Sequence, residues 1–416
     1  MECKELENIM DKYLQGKLNA ETEKAVEAHL ESCTACRQSL DHTMEASAAP
    51  PSLPKAGRTK ALFEPGLDER KQRSILRRAK YKNRFSIAVF LLLLLLGLRV
   101  AGGFLSSAYF NWGQDESRLY KAQRTAAILT EFTFPNVTLP ISIHPLSTYT
   151  VMTGWGHGSL EIKPYFVARG NYAMQKQVGK EKVTIGQLNI NHFFSSILTQ
   201  WQWENDTHQD YLYFYHPGQL DFPRQIPVVS PGETWEALGT LPEGTVAELS
   251  LSFLKTYSIE EVMEMLRDYD LEITWYAVDT GLEKNQRHRE HPEPLSAFRG
   301  AWGTPHQSRN MLAHYTQISS EEYSGVLEEY FLESMKYLLE HEGLTQKLYR
   351  GNPKELHLQE RYKYIQANGI QVYGVVVTGP TKELLLLQEL ESIHSPALGE
   401  IQLWNWFRRN FEGNLY

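Results

Sequence analysis

The segment that most constrains this chain is "FSIAVFLLLLLLGLRVAGGFLSSAYF", residues 85–110, which is almost wholly apolar. As an α-helix, Phe85 to Leu105 would span about 31 Å, which matches a hydrocarbon core of roughly 30 Å. A buried soluble helix is the alternative, but the run of leucines leaves no polar face. The 84 residues before the segment argue against a secretory signal. The sequence therefore predicts a single, uncleaved transmembrane helix over residues 85–107.

Arg99 interrupts this apolar segment. At the centre of an inserted helix an arginine costs about 2.5–3.5 kcal/mol. Arg99 lies nearer the far end, where a long side chain can reach the membrane interface. We expect this arrangement rather than a functional charge inside the membrane.

Charge on the two flanks predicts the orientation. Residues 70–84 carry eight Lys or Arg and no acid, whereas residues 111–118, "NWGQDESR", carry two acids and one Arg. The positive-inside rule then places the N-terminus in the cytoplasm and the C-terminal region outside a cell membrane crossed once. The basic stretch is predicted to be a juxtamembrane helix on acidic lipid headgroups, so the lipid bilayer is a partner.

The N-terminal region has the pattern of a small helical domain. Apolar residues recur at helical spacing over residues 4–18, Asn19 can cap a second helix, and a third can begin near Cys33 or Thr34. Residues 46–57, "ASAAPPSLPKAG", are typical of a linker. We therefore expect a helical domain over 1–45, then a linker and the basic helix over 46–84.

All three cysteines lie in this N-terminal region, on the side predicted to be reducing. There, metal binding or redox chemistry is expected before a disulfide framework. His29 and Cys33 are four residues apart and share a helix face, and Cys36 completes a C-x2-C step. Cys3 adds a fourth ligand if the first two helices pack antiparallel.

A site of three Cys and one His suits tetrahedral Zn²⁺ and leaves no open position, which indicates a structural metal. Unrelated buried thiols are the alternative, because a lone C-x-x-C is weak evidence. His42 is a weaker spare ligand. Some 45 residues bury little apolar surface, so such a domain needs an additional cross-link such as a bound metal to be stable.

Beyond the membrane, residues 111–416 are predicted to form an extracellular α+β region that acts as sensor or regulator. Stretches such as "SLEIKPYFVARG" and "KVTIGQLNI" have the composition of strands. Two later stretches each follow the order strand, helix, strand, with Ser258 and Thr381 as helix caps. They suggest a split, ferredoxin-like sheet, interrupted by a helix-rich insert from Ser319 to about Asn368. The fold class is thus multidomain: an all-α zinc domain, one transmembrane helix and an α+β domain.

We find no catalytic or cofactor-binding motif in the external region and expect no enzyme. The sequence holds neither G-x-S-x-G nor H-E-x-x-H. His288 and His291 could bind a metal, but a solvated loop is the simpler interpretation. Five aromatic residues alternate along strands, which usually means core or sheet face, with a ligand groove as the alternative: Trp201, Trp203, Tyr211, Tyr213 and Tyr215.

The spacing of Cys3, His29, Cys33 and Cys36 resembles the zinc-binding anti-sigma domain of membrane-anchored regulators of extracytoplasmic-function sigma factors. Residues 70–98 are similar to the juxtamembrane and membrane segment of the bacillar sigma-factor regulators. The stretch that begins "AELSLSFLKTYSIEEVMEML" resembles their C-terminal extracellular domain. The resemblance implies that these four residues are the zinc ligands and that residues 1 to about 80 hold a cytoplasmic sigma factor.

On this interpretation the chain is an anti-sigma factor that sequesters a sigma factor at the membrane and releases it on an envelope signal. The sequence does not decide how the sigma factor is released. A membrane protease, a conformational change and a partner membrane protein all stay open as routes. A structural zinc is favoured over a redox-sensing one. The alternative function is an envelope enzyme or ligand-binding protein with a zinc adaptor. Direct contact with nucleic acid is disfavoured, because residues 1–45 carry ten Asp or Glu against five Lys or Arg.

Overall fold

The computed structural model describes residues 3–14, 18–40, 69–112, 117–141, 160–204, 212–219, 230–285, 294–297, 299–308 and 322–406. The chain divides into two compact units, Met1–Ala88 and Val89–Tyr416. One long helix runs through the boundary between them. The predicted linker over 46–57 lies outside the described residues.

Three helices form the N-terminal region: α1 over Cys3–Leu14, α2 over Ala20–Ser32 and α3 over residues 34–40. The Asn19 side chain accepts a hydrogen bond from the Thr22 N–H at 2.9 Å and so caps α2, as the sequence predicts. The buried core is small and comprises Leu6, Met10, Val26 and Leu30. Four such side chains bury too little apolar surface to stabilise a domain securely by themselves.

Helix α4 covers Glu69–Asn111, so the basic stretch and the apolar segment form one continuous helix. Its length of 43 residues corresponds to about 65 Å. Residues Lys71–Asn111 are long and apolar enough to cross a membrane, and their most apolar stretch is not buried by any part of the described protein. The side chains from Phe85 to Leu98 are exposed, as expected of a helix that faces lipid.

After the membrane helix, α5 over Arg118–Thr133 is followed by a five-stranded sheet of β1 to β5. The strands are Val137–Thr138, Leu160–Lys163, Val167–Val178, Glu181–Phe193 and Ser196–Trp203. β3 pairs with β1, β2 and β4, and β5 pairs with β4, all antiparallel. The stretch "SLEIKPYFVARG", predicted as one strand, is instead a hairpin of β2 and β3, because Pro164, Tyr165 and Phe166 form the turn. Tyr165 and Phe166 both have positive φ, which no extended strand allows.

A second sheet has the strand order β10-β6-β9-β7-β8, with every neighbouring pair antiparallel. The strands are β6 Thr245–Tyr257, β7 Glu272–Asp279, β8 Gly303–Pro305, β9 Gln371–Pro380 and β10 Ile393–Leu403. β6 and β7 are therefore parallel with β9 between them, and β9 and β10 are parallel with β6 between them. This is the split β-α-β arrangement that the sequence predicts. β9, in the middle, is almost entirely buried.

Helices complete the α+β unit. They are α6 Pro231–Thr240, α7 Ile259–Leu266, α8 Tyr323–Glu340, α9 Glu342–Leu348, α10 Leu358–Asn368 and α11 Thr381–Leu386. Ser258 caps α7 in a capping box with Glu261, as predicted. The predicted cap at Thr381 is wrong by one residue: Thr381 begins α11, and its hydroxyl bonds the Thr245 hydroxyl at 3.1 Å instead.

The β3–β4 turn makes one of the contacts between the first sheet and the second. The N–H of Gly179 donates to the Thr378 hydroxyl at 2.6 Å, and the Asn405 amide donates to the Val178 carbonyl at 2.9 Å. Gly179 has a φ of +65°, a conformation that favours glycine. The two sheets and the helices around α5 share one hydrophobic core.

Candidate metal centre

The turn between α2 and α3 sets the positions of two cysteines. Cys33 has an extended backbone, φ −115° and ψ 105°, and its N–H still bonds the His29 carbonyl at 2.9 Å. The helix therefore ends at Cys33, and α3 begins at the next residue. This places the side chains of His29, Cys33 and Cys36 around one point. Two thiols on such a turn can reach a single metal ion.

Cys3 comes to the same point from the start of α1. Its Sγ lies 3.5 Å from Nε2 of His29 and 3.8 Å from Sγ of Cys33. Leu6 and Met10 on α1 pack with Val26 and Leu30 on α2, which holds the two helices side by side. The ligand atoms of Cys3, His29, Cys33 and Cys36 all lie within 4.8 Å of one another. The sequence-predicted set is thus brought together in full.

These distances can be compared with those in a tetrahedral zinc site. Zn–S bonds of about 2.3 Å and Zn–N bonds of about 2.0–2.1 Å place two sulfurs ~3.8 Å apart and a sulfur and a nitrogen ~3.6 Å apart. The 3.8 Å between Cys3 and Cys33 and the 3.5 Å between Cys3 and His29 agree with both values. The donor set fits Zn²⁺, and four protein ligands would complete its coordination.

The thiols of this cluster are unequal without a cation. Hydrogen bonds from Cys36, from its backbone first and then its side chain, lower the pKa of the Cys33 thiol. Desolvation, together with the neighbouring Cys3 and Cys33 thiols, raises the pKa of Cys36 to about 12. The neighbouring thiols therefore favour ionisation of Cys33 and disfavour that of Cys36, and a divalent cation is the group that would let both ionise together.

Other candidate residues that the sequence suggests are not among those the structure describes. His42, His288 and His291 lie outside the described residues, as does Tyr211. Within the described part of the chain, the cluster around Cys3 is the one group of three or more Cys, His, Asp or Glu residues that could hold a metal.

Of the alternating aromatic residues that the structure describes, Trp201 and Trp203 on β5 are half-buried, whereas Tyr213 and Tyr215 are buried but lie outside the named strands. Trp201 and Trp203 lie 5.1 and 5.6 Å from the Phe134 ring, measured between ring centroids. Tyr213 and Tyr215 are buried, at 5% and 2% exposed. Burial favours core packing over the ligand groove that was the alternative.

Sequence reasoning missed a contact at the end of the membrane helix. The Phe166 N–H donates to the Ser106 hydroxyl at 2.8 Å, across 60 positions of the chain. Small residues at 102, 103 and 106 were the available signal, since small residues allow close approach to a helix. Their partner could not be read from the sequence.

Two family models match the chain. Residues 3–37 match the model described as "Putative zinc-finger", and residues 238–400 match the model described as "Sigma factor regulator C-terminal". The first match contains the whole cysteine and histidine cluster, and the second contains nearly all of the second sheet.

The chain is also similar to the "Probable anti-sigma-M factor YhdL" of Bacillus subtilis (strain 168). The two are 26% identical over 407 residues, which cover 97% of this chain and 99% of that protein. No solved structure matches the chain. The similarity therefore extends through the cluster of cysteines and histidine, helix α4 and the α+β unit alike.

Proposed function

We propose that this chain is an anti-sigma factor, which sequesters a sigma factor at the membrane and so represses the transcription which that factor directs; its two family matches and its relative support this. The observation that carries the proposal is the meeting of Cys3, His29, Cys33 and Cys36 in a zinc-finger region that stands before a membrane helix. The alternative of an envelope enzyme with a zinc adaptor is not favoured.

In this proposal Cys3, His29, Cys33 and Cys36 are the zinc ligands. When bound, Zn²⁺ cross-links the start of α1 to the end of α2, because its ligands come from both. With all positions filled by protein there is no place for a water or substrate, so the metal is structural. Metal binding would then add the stability that the small core of Leu6, Met10, Val26 and Leu30 lacks, and the helices would stay packed together.

The role is regulatory, and we infer further that it is not enzymatic. The partner would be a protein that binds to the surface of the zinc domain. Residues 1–45 have ten acidic against five basic residues, a charge that attracts a basic partner and repels nucleic-acid phosphate. An extracytoplasmic-function sigma factor is the partner we propose.

The membrane topology is the next part of the proposal. Helix α4 presents an apolar, exposed surface that fits a single span. Its basic end, residues 70–84, favours the cytoplasmic side, and the α+β unit would then be extracellular. This orientation places the zinc domain with the sigma factor and the α+β unit with the envelope signal. A membrane protease or a partner membrane protein would carry that signal to the zinc domain.

The proposal predicts capture of a sigma factor. Tagged full-length chain, extracted from cell membranes in mild detergent with zinc present, should co-purify a small sigma factor. A variant with both Cys33→Ser and Cys36→Ser should lose it, whereas Glu27→Gln, an exposed change on α2, should retain it. Zinc-loaded chain that recovers no sigma factor would contradict the proposal.

A transcription assay distinguishes capture from repression. The sigma factor and core polymerase should transcribe a cognate promoter in vitro, and the detergent-solubilised chain should inhibit that transcription in proportion to its concentration. The double cysteine variant serves as the matched control. Capture without inhibition would show that the partner is bound but not repressed.

A further inference from the structure

The last turns of the membrane helix pack against a hairpin turn of the first sheet. Ser106 is fully buried, and its hydroxyl accepts the Phe166 N–H at 2.8 Å. A Cβ placed on Gly102 would lie 3.5 Å from both Pro164 and the Tyr165 ring. The β2–β3 turn therefore lies beside residues 102–106 of α4.

A second hairpin turn joins the first at this place. The N–H of Phe194, in the β4–β5 turn, donates to the Phe166 carbonyl at 2.9 Å. The rings of Phe166 and Phe194 stack with their centroids 4.6 Å apart, and Tyr109 of α4 lies 5.3 Å from the Phe166 ring. We call Tyr165, Phe166, Phe193 and Phe194 the aromatic tip.

The depth of the aromatic tip follows from its contact with the helix. Gly102 precedes Leu105, where the stretch of about 31 Å that begins at Phe85 ends, by three residues or about 4.5 Å along the axis. Tyr165 lies beside Gly102. If the helix spans a bilayer, Tyr165 is therefore at the level of the outermost hydrocarbon rather than above the headgroups.

The surface of the aromatic tip has the chemistry of that level. Tyr165 is 62% exposed, Phe193 59% and Phe194 44%, which is unusual for large apolar side chains in water. Residues 164–167 and 193–198 contain no charged residue. Aromatic side chains are enriched where membrane proteins meet the interface between water and lipid.

The backbone shows that these side chains are not there to make the turns. Tyr165, Phe166 and Phe194 have φ of 68°, 59° and 51°. Gly or Asn adopts this left-handed conformation readily, whereas a bulky aromatic residue does so rarely. Three aromatic residues at positions better suited to Gly or Asn indicate that the rings themselves have a role.

We propose that the aromatic tip inserts into the bilayer leaflet that faces the α+β unit. The two hairpin turns of the first sheet would then anchor that sheet to the membrane beside helix α4. Lipid is the occupant because the tip continues the apolar surface of α4: Phe104 and Leu105, in the same turns, are 66% and 55% exposed. Trp112, just beyond, is 82% exposed and lies where an interfacial anchor is expected. This inference rests on the membrane anchoring in the proposed function.

The test measures depth in the full chain, loaded with zinc and reconstituted in phospholipid nanodiscs. A nitroxide is attached to Tyr165→Cys, and its collisions with oxygen, which enters lipid, and with a water-soluble nickel chelate are measured by power-saturation electron paramagnetic resonance. Leu403→Cys, on β10 and 81% exposed, is the matched control. The unsubstituted chain, whose three thiols lie in the zinc cluster, gives the background. Phe193→Cys is a second site, should Tyr165→Cys fail to fold.

At the aromatic tip we expect an oxygen-to-nickel accessibility ratio several-fold higher than at Leu403→Cys. Equal ratios would overturn the proposal, and so would a tip label that neither reagent reaches, because that result means contact with another protein or a second copy. The readout does not depend on the sigma factor. A chain that captures no sigma factor but gives the expected ratio would refute the proposed function and leave this inference standing.

Discussion

Lys176 on β3 and Glu248 on β6 form a buried ion pair that joins the two sheets, with Nζ 2.6 Å from Oε2 and side chains 3% and 0% exposed. The Asn136 amide also donates to the Glu248 carboxylate, at 2.6 Å, and so does the Glu400 N–H, at 3.2 Å. The carboxylate is thus compensated entirely by protein groups, as a buried charge must be.

Lys176→Met should destabilise the α+β unit by about 3–5 kcal/mol, because it leaves the Glu248 carboxylate buried without its counter-ion. Adding Glu248→Gln removes that charge and should recover part of the loss. The measurement is chemical unfolding of the solubilised chain, followed by tryptophan fluorescence. Equal losses in the single and double variants would show that the pair is not what stabilises this position.

Removal of one of the four proposed zinc ligands should abolish metal binding. Cys36→Ser is expected to reduce the zinc content, measured by atomic emission on purified chain, from about one ion per chain to near zero. The N-terminal helices should then become sensitive to protease, because their own apolar core is small. Lys24→Gln, an exposed change on α2, is the control and should leave both readouts unchanged. Zinc-free chain with protected helices would argue against a structural metal.

The apolar core of the zinc domain should matter as well as the ligands. Leu6 is fully buried, so Leu6→Ala should cost about 2–5 kcal/mol, a large part of the stability of so small a domain. We expect weaker capture of the sigma factor although Cys3, His29, Cys33 and Cys36 are all present. The measurement is the amount of sigma factor co-purified at matched chain concentration, with exposed Lys12→Ala as the control. Unchanged capture would place the partner's contacts away from this core.

The α+β unit should lose stability in mild acid. Burial lowers the pKa of His306 to about 4, and Tyr276 contacts its Nδ1 at 2.9 Å, so the folded unit holds a neutral imidazole. The unfolded chain takes up a proton near pH 6.5. Protonation of the unfolded chain therefore lowers the free energy of unfolding. That free energy is at its full value above about pH 6.5 and falls by up to roughly 3 kcal/mol as the pH drops towards 4.

The melting temperature of the chain between pH 7 and pH 5 checks this. His306→Gln should flatten the profile in that range. Burial also lowers the pKa of His192 to about 4, so a variant that also carries His192→Asn should be flatter still. A profile that neither change alters would mean that other groups account for any acid sensitivity.

Much of the architecture could be predicted because its signals are local. The meeting of Cys3, His29, Cys33 and Cys36 follows from a three-residue and a four-residue spacing, together with a cysteine that the α1–α2 hairpin returns to the same point. The strand and helix order of the split sheet follows from periodicity and from the Ser258 capping box. The hairpin turn at Pro164 was missed, since "PYF" lacks the Gly or Asn that usually marks such a turn.

By itself the sequence determined which segment can cross a membrane, which residues can ligate zinc, and the α+β class, since each depends on residue types within a helix turn, a strand or a short hairpin. Only the tertiary structure decided that Lys176 forms an ion pair with Glu248 and that the Ser106 hydroxyl accepts a hydrogen bond from the Phe166 N–H. Those partners are 72 and 60 positions apart in the chain. Their meeting depends on sheet order and on how the hairpins pack, which no local pattern encodes.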